Sequence, residues 1–235
     1  MSSLQERYQS IQHSIENACD RAGRKANEIS LVAVSKTHPK ETIQELYDLG
    51  HRSFGENKIQ EGLLKVPDLP KDIEWRMIGH LQTNKCRDAV RLFHMIESVD
   101  SLKVAQELQK HGDRALKQVP VLLEINVAGE ATKYGFRPSE ALEQLEALND
   151  LSRLEIHGLM TIAPYTQEPE RVRPFFQQLR ELRDELETQL GAPLPTLSMG
   201  MSGDYEIAIE EGATVVRVGS AIFGPRRTGK KKTEG

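Results

Sequence analysis

Val121-Leu122-Leu123-Glu124-Ile125 is an apolar run with no regular polar alternation, and its reading decides the fold. A strand with one wet face alternates apolar and polar residues, whereas a near-continuous apolar run suits a strand covered on both faces. The run extends over Pro120–Val127, and similar β-like stretches lie on either side of it. Ser30–Lys36, Ser53–Asn57, Glu74–His80 and His94–Asp100 precede it; Glu155–Ile162, Thr196–Ser202 and Val215–Gly224 follow. Ser53–Asn57 is the weakest, since periodicity alone does not identify it.

Helical patterns separate these stretches. Leu142, Leu145, Leu148 and Leu151 recur at i+3, and Val172, Phe175, Phe176, Leu179, Leu182, Leu186 and Leu190 form a long stripe between proline-marked ends. Pro39 fits a first helical turn, and Gly50 and Gly212 fit left-handed positions after helix ends. Ahead of the first strand, Leu4, Tyr8, Ile11, Ile15, Ala18 and Ala22 mark one more helix with one buried face. Strands alternating with helices in this number read as an α/β chain folded into a single (β/α)8 TIM-type barrel. The usual size of about 250 residues suits this length. An open doubly wound sheet, with helices on both faces and a topological switch point, is the competing architecture. The expected organisation is one barrel domain over residues 1–225, including the N-terminal helix, and a polar, disordered tail over 226–235. No room remains for a helix after the last strand, so the N-terminal helix is expected to cover that gap.

The chain has 235 residues, with 31 basic and 35 acidic side chains giving a net charge of −4. Hydrophobic residues at 38% and charged residues at 28% fit a globular protein rather than a disordered one. The mild acidity argues against a sequence-independent nucleic-acid binder, and Lys230-Lys231-Lys232 reads as a solvated end. Cys19 and Cys86 stand far apart without metal-ligand spacing. No signal peptide pattern and no apolar stretch of about 18 residues is present. A cytoplasmic protein with reduced thiols is expected.

In such barrels chemistry sits at the carboxyl ends of the strands. Those ends carry Lys36, Asn57, His80, Ser98 with Asp100, Asn126, Met160 with Thr161, Ser202 and Arg217. Lys36 alone among the chain's fourteen lysines closes a Val-rich strand. Desolvation there lowers a lysine's pKa and yields an amine able to form a Schiff base; the bland alternative is a lysine snorkelling to water. Ser198-Met199-Gly200-Met201-Ser202-Gly203-Asp204 and Val218-Gly219-Ser220 have the glycines and hydroxyls of a phosphate site, and equally those of ordinary turns and caps. Arg217, inside Val215-Val216-Arg217-Val218, needs a carboxylate, a phosphate or another acceptor. Together these residues describe a phosphorylated ligand bearing a carbonyl: a phosphosugar held by an aldolase-like lysine, or pyridoxal 5′-phosphate (PLP).

Longer motifs carry a resemblance. Val32-Ala33-Val34-Ser35-Lys36-Thr37, Phe54-Gly55-Glu56-Asn57, Trp75 to Lys85, Gly158-Leu159-Met160, Leu197 to Asp204 and Val216 to Gly224 resemble the YggS/PROSC pyridoxal phosphate homeostasis family. These are single-domain relatives of the alanine racemase barrel. The resemblance implies that Lys36 holds PLP as an internal aldimine, that Ser202, Gly219 and Ser220 contact the phosphate, and that Arg217 faces the pyridine nitrogen. Asn57, His80 and Met199 are implied neighbours of the ring or pocket. A fixed cation beside the ring nitrogen opposes its protonation and makes the ring a poorer electron sink.

Racemases of this fold type carry a separate β-domain and a partner-chain tyrosine as second acid–base; here only about ten residues follow Gly224. Lys133 and Tyr134, in the loop Gly129 to Gly135, are the available candidates, although a flexible surface loop explains them as well. The leading expectation is therefore a cytoplasmic, monomeric PLP-binding protein. It buffers the cofactor, delivers it to apo PLP-dependent enzymes, and maintains vitamin B6 and amino-acid homeostasis with little or no catalysis. A PLP-dependent amino-acid racemase is the second reading and a phosphosugar aldolase the third.

Overall fold

A run of Val, Leu and Ile that must bury both faces finds cover only when neighbouring strands and outer helices enclose it. The computed structural model, which describes residues 2–224, meets that demand with eight parallel strands closed into a barrel in sequence order. They are β1 (Ser30–Val34), β2 (Ser53–Glu56), β3 (Glu74–Met77), β4 (Met95–Val99), β5 (Val119–Glu124), β6 (Leu154–Met160), β7 (Thr196–Ser198) and β8 (Val215–Val218). β8 pairs with β1 through Leu31–Val216 and Val32–Arg217, so the sheet has no edge and the open doubly wound alternative falls. Pro225 and the tail expected over 226–235 lie outside the described residues.

The outer layer comprises α1 (Leu4–Arg21), α2 (Lys40–Asp48), α3 (Ile59–Lys65), α4 (Cys86–Leu92), α5 (Leu102–Ala115), α6 (Pro138–Glu143), α7 (Leu145–Asn149), α8 (Arg173–Leu190), α9 (Tyr205–Glu210) and α10 (Ser220–Phe223). Ser3 and Glu6 start α1 with a capping box, each side chain bonding the other's backbone N–H. Leu4, Tyr8, Ile11, Ile15 and Ala18 are buried along its inner face. α1 packs on α9 and α10, where an eighth full-length helix would lie. Arg7 Nε donates to the Ile222 carbonyl at 2.7 Å, and Arg24 Nη1 donates to those of Ile209 and Ala213.

Two elements depart from the sequence reading. The last expected strand ends at Val218, and Ser220–Phe223 turns into the short α10. Ile222 and Phe223 are buried, and a short apolar run cannot by itself be told from a buried helix. The expected helix through Leu142, Leu145, Leu148 and Leu151 breaks at Gln144 into α6 and α7. Apolar residues spaced strictly by three drift about 60° per step around an α-helix, so one straight helix cannot keep them on one face.

Pairing register fixes which side chains point inward, because paired residues in adjacent strands share a face. Arg217 pairs with Val32, Gly55 with Arg76, Arg76 with Met95, Glu124 with Met160, Met160 with Ser198, and Ser198 with Val215. Bulges in the pairing of β5 with β4 and with β6 keep the sequence consistent. The inward layer nearest the mouth is therefore polar, with the charged Arg76, Glu97, Glu124 and Arg217 beside Ser198. Branched apolar residues usually dominate such layers.

Candidate functional site

The strands end earlier than the sequence suggests, so most polar side chains assigned to strand ends stand in the loops just beyond them. A cavity of about 370 Å3 opens where β1, β7 and β8 meet the mouth, lined by Lys36, Ser202, Arg217, Gly219 and Ser220. Sequence reasoning had named all five. Val34, His38, Tyr165, Met201, Gly203 and Gly224 complete the wall.

Arg217 forms the inner end of this cavity and is only 3% exposed. Its Nη1 donates to Ser198 Oγ at 2.6 Å and its Nη2 to the Thr161 carbonyl at 2.7 Å. Ser198 in turn donates to Glu97 Oε2 at 2.6 Å, while Arg76 Nη1 donates to Glu97 Oε1 at 2.9 Å. Burial lowers the Arg217 pKa, and the nearby carboxylates of Glu97, Glu124 and Asp204 oppose that shift. These contacts hold the planar guanidinium in one orientation, with its charge balanced from inside the barrel.

Ser202, Gly219 and Ser220 line the same cavity. Ser202 Oγ accepts the N–H groups of Gly219 at 3.3 Å and Ala221 at 3.4 Å. Asp204, not Ser202, stands at the N-cap position of α9, without a side-chain capping bond, so Ser202 is not occupied with the helix its sequence position suggests. Gly200, at φ +90°, lets this loop lie against α9: a Cβ there would come within 2.6 Å of Ala208 Cβ and 2.8 Å of Tyr205 Cα. Ser202, Gly219 and Ser220 thus bring two hydroxyl-bearing residues and a glycine backbone to this cavity, the donor chemistry an anion takes.

The remaining expected residues stand elsewhere. Asn57 and His80 line a separate cavity of about 480 Å3 with Lys58, Gln82 and Lys85. Gly79 brings their two loops together, because a Cβ at that position would meet the Asn57 carbonyl oxygen at 2.3 Å. His80 Nδ1 pairs with Asp100 Oδ2 at 2.8 Å, and its ring stacks on Tyr134 with centroids 3.6 Å apart. Lys133 and Tyr134 line a further cavity of about 760 Å3, together with Asp100, that shares His80 and Gln82 with the Asn57 cavity. Met199 is not part of the Lys36 cavity's lining and is wholly buried in the core, since an inward Ser198 forces its neighbour outward. Met201 reaches the Lys36 cavity in its place.

Sequence reasoning missed His38, Tyr165, Met201 and the interior carboxylates. His38 lies two residues beyond Lys36, and its ring stacks on Phe223 at 4.8 Å. Glu97 and Glu124 had a visible signal, namely acidic residues within strongly apolar strands.

Residues 7–227 match the family described as alanine racemase, N-terminal domain. A pyridoxal phosphate homeostasis protein of Aquifex aeolicus is 46% identical over 223 residues, spanning 94% of this chain and 98% of the relative. The solved structure of PipY from Synechococcus elongatus, with PLP bound, aligns with a TM-score of 0.79 at 36% identity, covering 90% of this chain and 100% of that one. An alanine racemase of Clostridium difficile shares the fold alone, with a TM-score of 0.74 at 15% identity over 96% of this chain and 57% of the racemase.

Proposed function

The chain belongs to the alanine racemase N-terminal-domain family and, within it, to the pyridoxal phosphate homeostasis proteins, and from that premise we propose that it binds PLP reversibly, buffers it, and delivers it to apoenzymes with little or no turnover of its own. One observation carries the reading: Lys36, Arg217, Ser202, Gly219 and Ser220 line a single cavity. An amine and donors that suit an anion match an aldehyde and a phosphate on one small molecule.

When bound, PLP would supply an aldehyde able to condense with an amine, and Lys36 would be the residue that holds it there. Ser202, Gly219 and Ser220, which line the same cavity, would hold the phosphate. Arg217, fixed by Ser198 and the Thr161 carbonyl, opposes protonation of the ring nitrogen and so limits carbanion chemistry. Racemisation needs proton exchange on both faces of a substrate. Lys36 serves one face. Tyr134 is stacked on His80, and Lys133 Nζ pairs with Glu130 at 2.7 Å; both line another cavity. That placement supports a carrier over a racemase. Both cysteines are free and buried, and no helix among the described residues is long and apolar enough to cross a membrane. Free thiols fit work in the cytoplasm.

The test is a PLP titration of wild type and Lys36→Ala, followed by borohydride reduction and peptide mapping. Wild type is expected to develop a visible absorbance band and carry a pyridoxyl group on Lys36, and the variant neither. An unmodified Lys36 in saturated protein overturns the assignment. Delivery is read by mixing loaded protein with an apo PLP enzyme; activation no faster than free PLP dissociates counts against it. Rapid α-proton exchange of an amino acid in deuterated water, lost in Lys36→Ala, favours a racemase instead.

A further inference from the structure

Lys36 sits in a turn that its own sequence does not favour. The His38 N–H donates to the Ser35 carbonyl at 3.1 Å, closing Ser35-Lys36-Thr37-His38 into a β-turn. Thr37, its third residue, has φ +67°. A positive φ at that position is the pattern of a type II turn, which calls for Gly or Asn. A β-branched residue is a poor occupant of left-handed space, so outside contacts must hold it there.

Those contacts come from one cluster behind the turn. The Thr37 N–H donates to Glu61 Oε2 at 2.7 Å. Lys65 Nζ donates to the Ser35 carbonyl at 3.0 Å, to Glu56 Oε1 at 2.7 Å and to Glu61 Oε2 at 2.8 Å. Ser35 Oγ donates to the same Glu56 oxygen at 2.7 Å. The residues on both sides of Lys36 are thus bonded to a single ion cluster, in which Glu56 is fully buried and Lys65 is 7% exposed. Burial acts to raise the Glu61 carboxyl, but hydrogen bonds from Lys65 and the Thr37 amide outweigh it and hold Glu61 below the usual carboxylate range. Glu61 and Lys65 lie four residues apart on α3, so one helical face presents both to the turn. An isolated buried ion pair gives little net stability, so the role of this cluster is sought in the geometry it fixes.

We propose that Glu61 and Lys65, with Glu56, are positioning residues that lock the Lys36 turn, so that the amine is presented to the cavity. The inference deepens the PLP reading and rests on it for the consequence, although the lock itself is a property of the protein without cofactor. Glu61→Gln tests it in two ways. In the apo protein the Thr37 amide is expected to exchange hydrogen about tenfold faster, the scale of one charge-assisted bond, with β1 amides unchanged. At saturating PLP, the Lys36–PLP band is expected to form about tenfold more slowly while total bound PLP is retained. Lys65→Met is expected to act in the same direction.

The decisive arm is rescue. Asn tolerates left-handed backbone, so adding Thr37→Asn to Glu61→Gln is expected to restore most of the lost rate, which a merely structural role for the cluster does not predict. Wild-type exchange and band kinetics in Glu61→Gln overturn the proposal, as does failure of Thr37→Asn to rescue. A Glu61→Gln chain that does not fold overturns it too, because the carboxylate then serves the fold rather than the turn. If wild type forms no band at all, the PLP reading fails while Thr37 exchange still decides the lock.

Discussion

Glu124 is an acid inside an apolar strand, 7% exposed, with Oε2 lacking a hydrogen-bond partner among the described residues. Burial, and then the charge of Asp100, push its carboxyl from 4.5 up to about 7, with Arg217 acting the other way. Because the folded pKa lies above the unfolded one, the fold favours the protonated form. The associated stability is full below about pH 4.5 and is lost as pH rises through about 7. The whole effect is bounded at roughly 3 kcal/mol. Glu124→Gln is therefore expected to match wild type near pH 4.5 and to exceed it by about 1–3 kcal/mol at pH 8, measured by urea unfolding. A constant difference across that range removes the carboxyl as its origin. Arg217→Met carries the opposite cost, about 1–3 kcal/mol at neutral pH by the same assay, because it removes the buried donors to Ser198 Oγ and the Thr161 carbonyl while Arg76 still pairs Glu97. Neither role is legible in one sequence. The letters Val121-Leu122-Leu123-Glu124-Ile125 reveal an acid in a strand, but only the pairing of Glu124 with Met160 shows that it points inward. That Lys36, Arg217, Gly219 and Ser220 share one cavity was legible because strand ends and glycines next to hydroxyls are local signals, whereas Met201, which lines it, went unnamed for want of the same parity.

At the scale of elements, α1 is a stave of the barrel, and His51 ties it down. Tyr8 Oη lies 3.2 Å from His51 Nδ1, while His51 Nε2 lies 2.7 Å from the Ser53 carbonyl. That carbonyl accepts only, so Nε2 carries the proton and Nδ1 accepts from Tyr8. Burial lowers the His51 pKa from 6.5 to about 4. Here the folded pKa is the lower one, so the stability is present above pH 6.5 and is lost as pH falls through about 4. His51→Gln, whose amide supplies a donor in place of Nε2, is expected to remove that acid-side loss in thermal unfolding between pH 7 and 4. Ile11→Ala, which hollows the buried face of α1, is expected to cost about 2–4 kcal/mol at every pH. An α1 that merely decorates the surface would give less than about 0.5 kcal/mol. The helix itself was legible from its apolar spacing. Its docking on α9 and α10 followed only from counting strands and finding no eighth full helix, a global argument that no local pattern contains. α6 and α7 went the other way, since a clean leucine spacing suggested continuity that the geometry of a straight helix does not allow.

Across the whole molecule, the proposed cofactor site spans the seam where the chain's first and last strands meet. β1 brings Lys36, β8 brings Arg217 and Gly219, and the loop after β7 brings Ser202. A ligand touching all three cross-links the closure of the barrel rather than one side of it. Binding to the native state alone stabilises by mass action, about 2.7 kcal/mol when free PLP is a hundred times Kd. For a chain of this length that corresponds to a rise in Tm of roughly 5–10 °C. Lys36→Ala keeps the phosphate cradle on β7 and β8 but loses the link to β1, so its rise at equal PLP is expected to fall to less than about half. Hydrogen exchange then locates the effect: PLP is expected to slow amides of β1 and β8 more than those of β4 and β5, across the barrel. Uniform slowing of all eight strands, or an undiminished Tm rise in Lys36→Ala, places the ligand away from the seam.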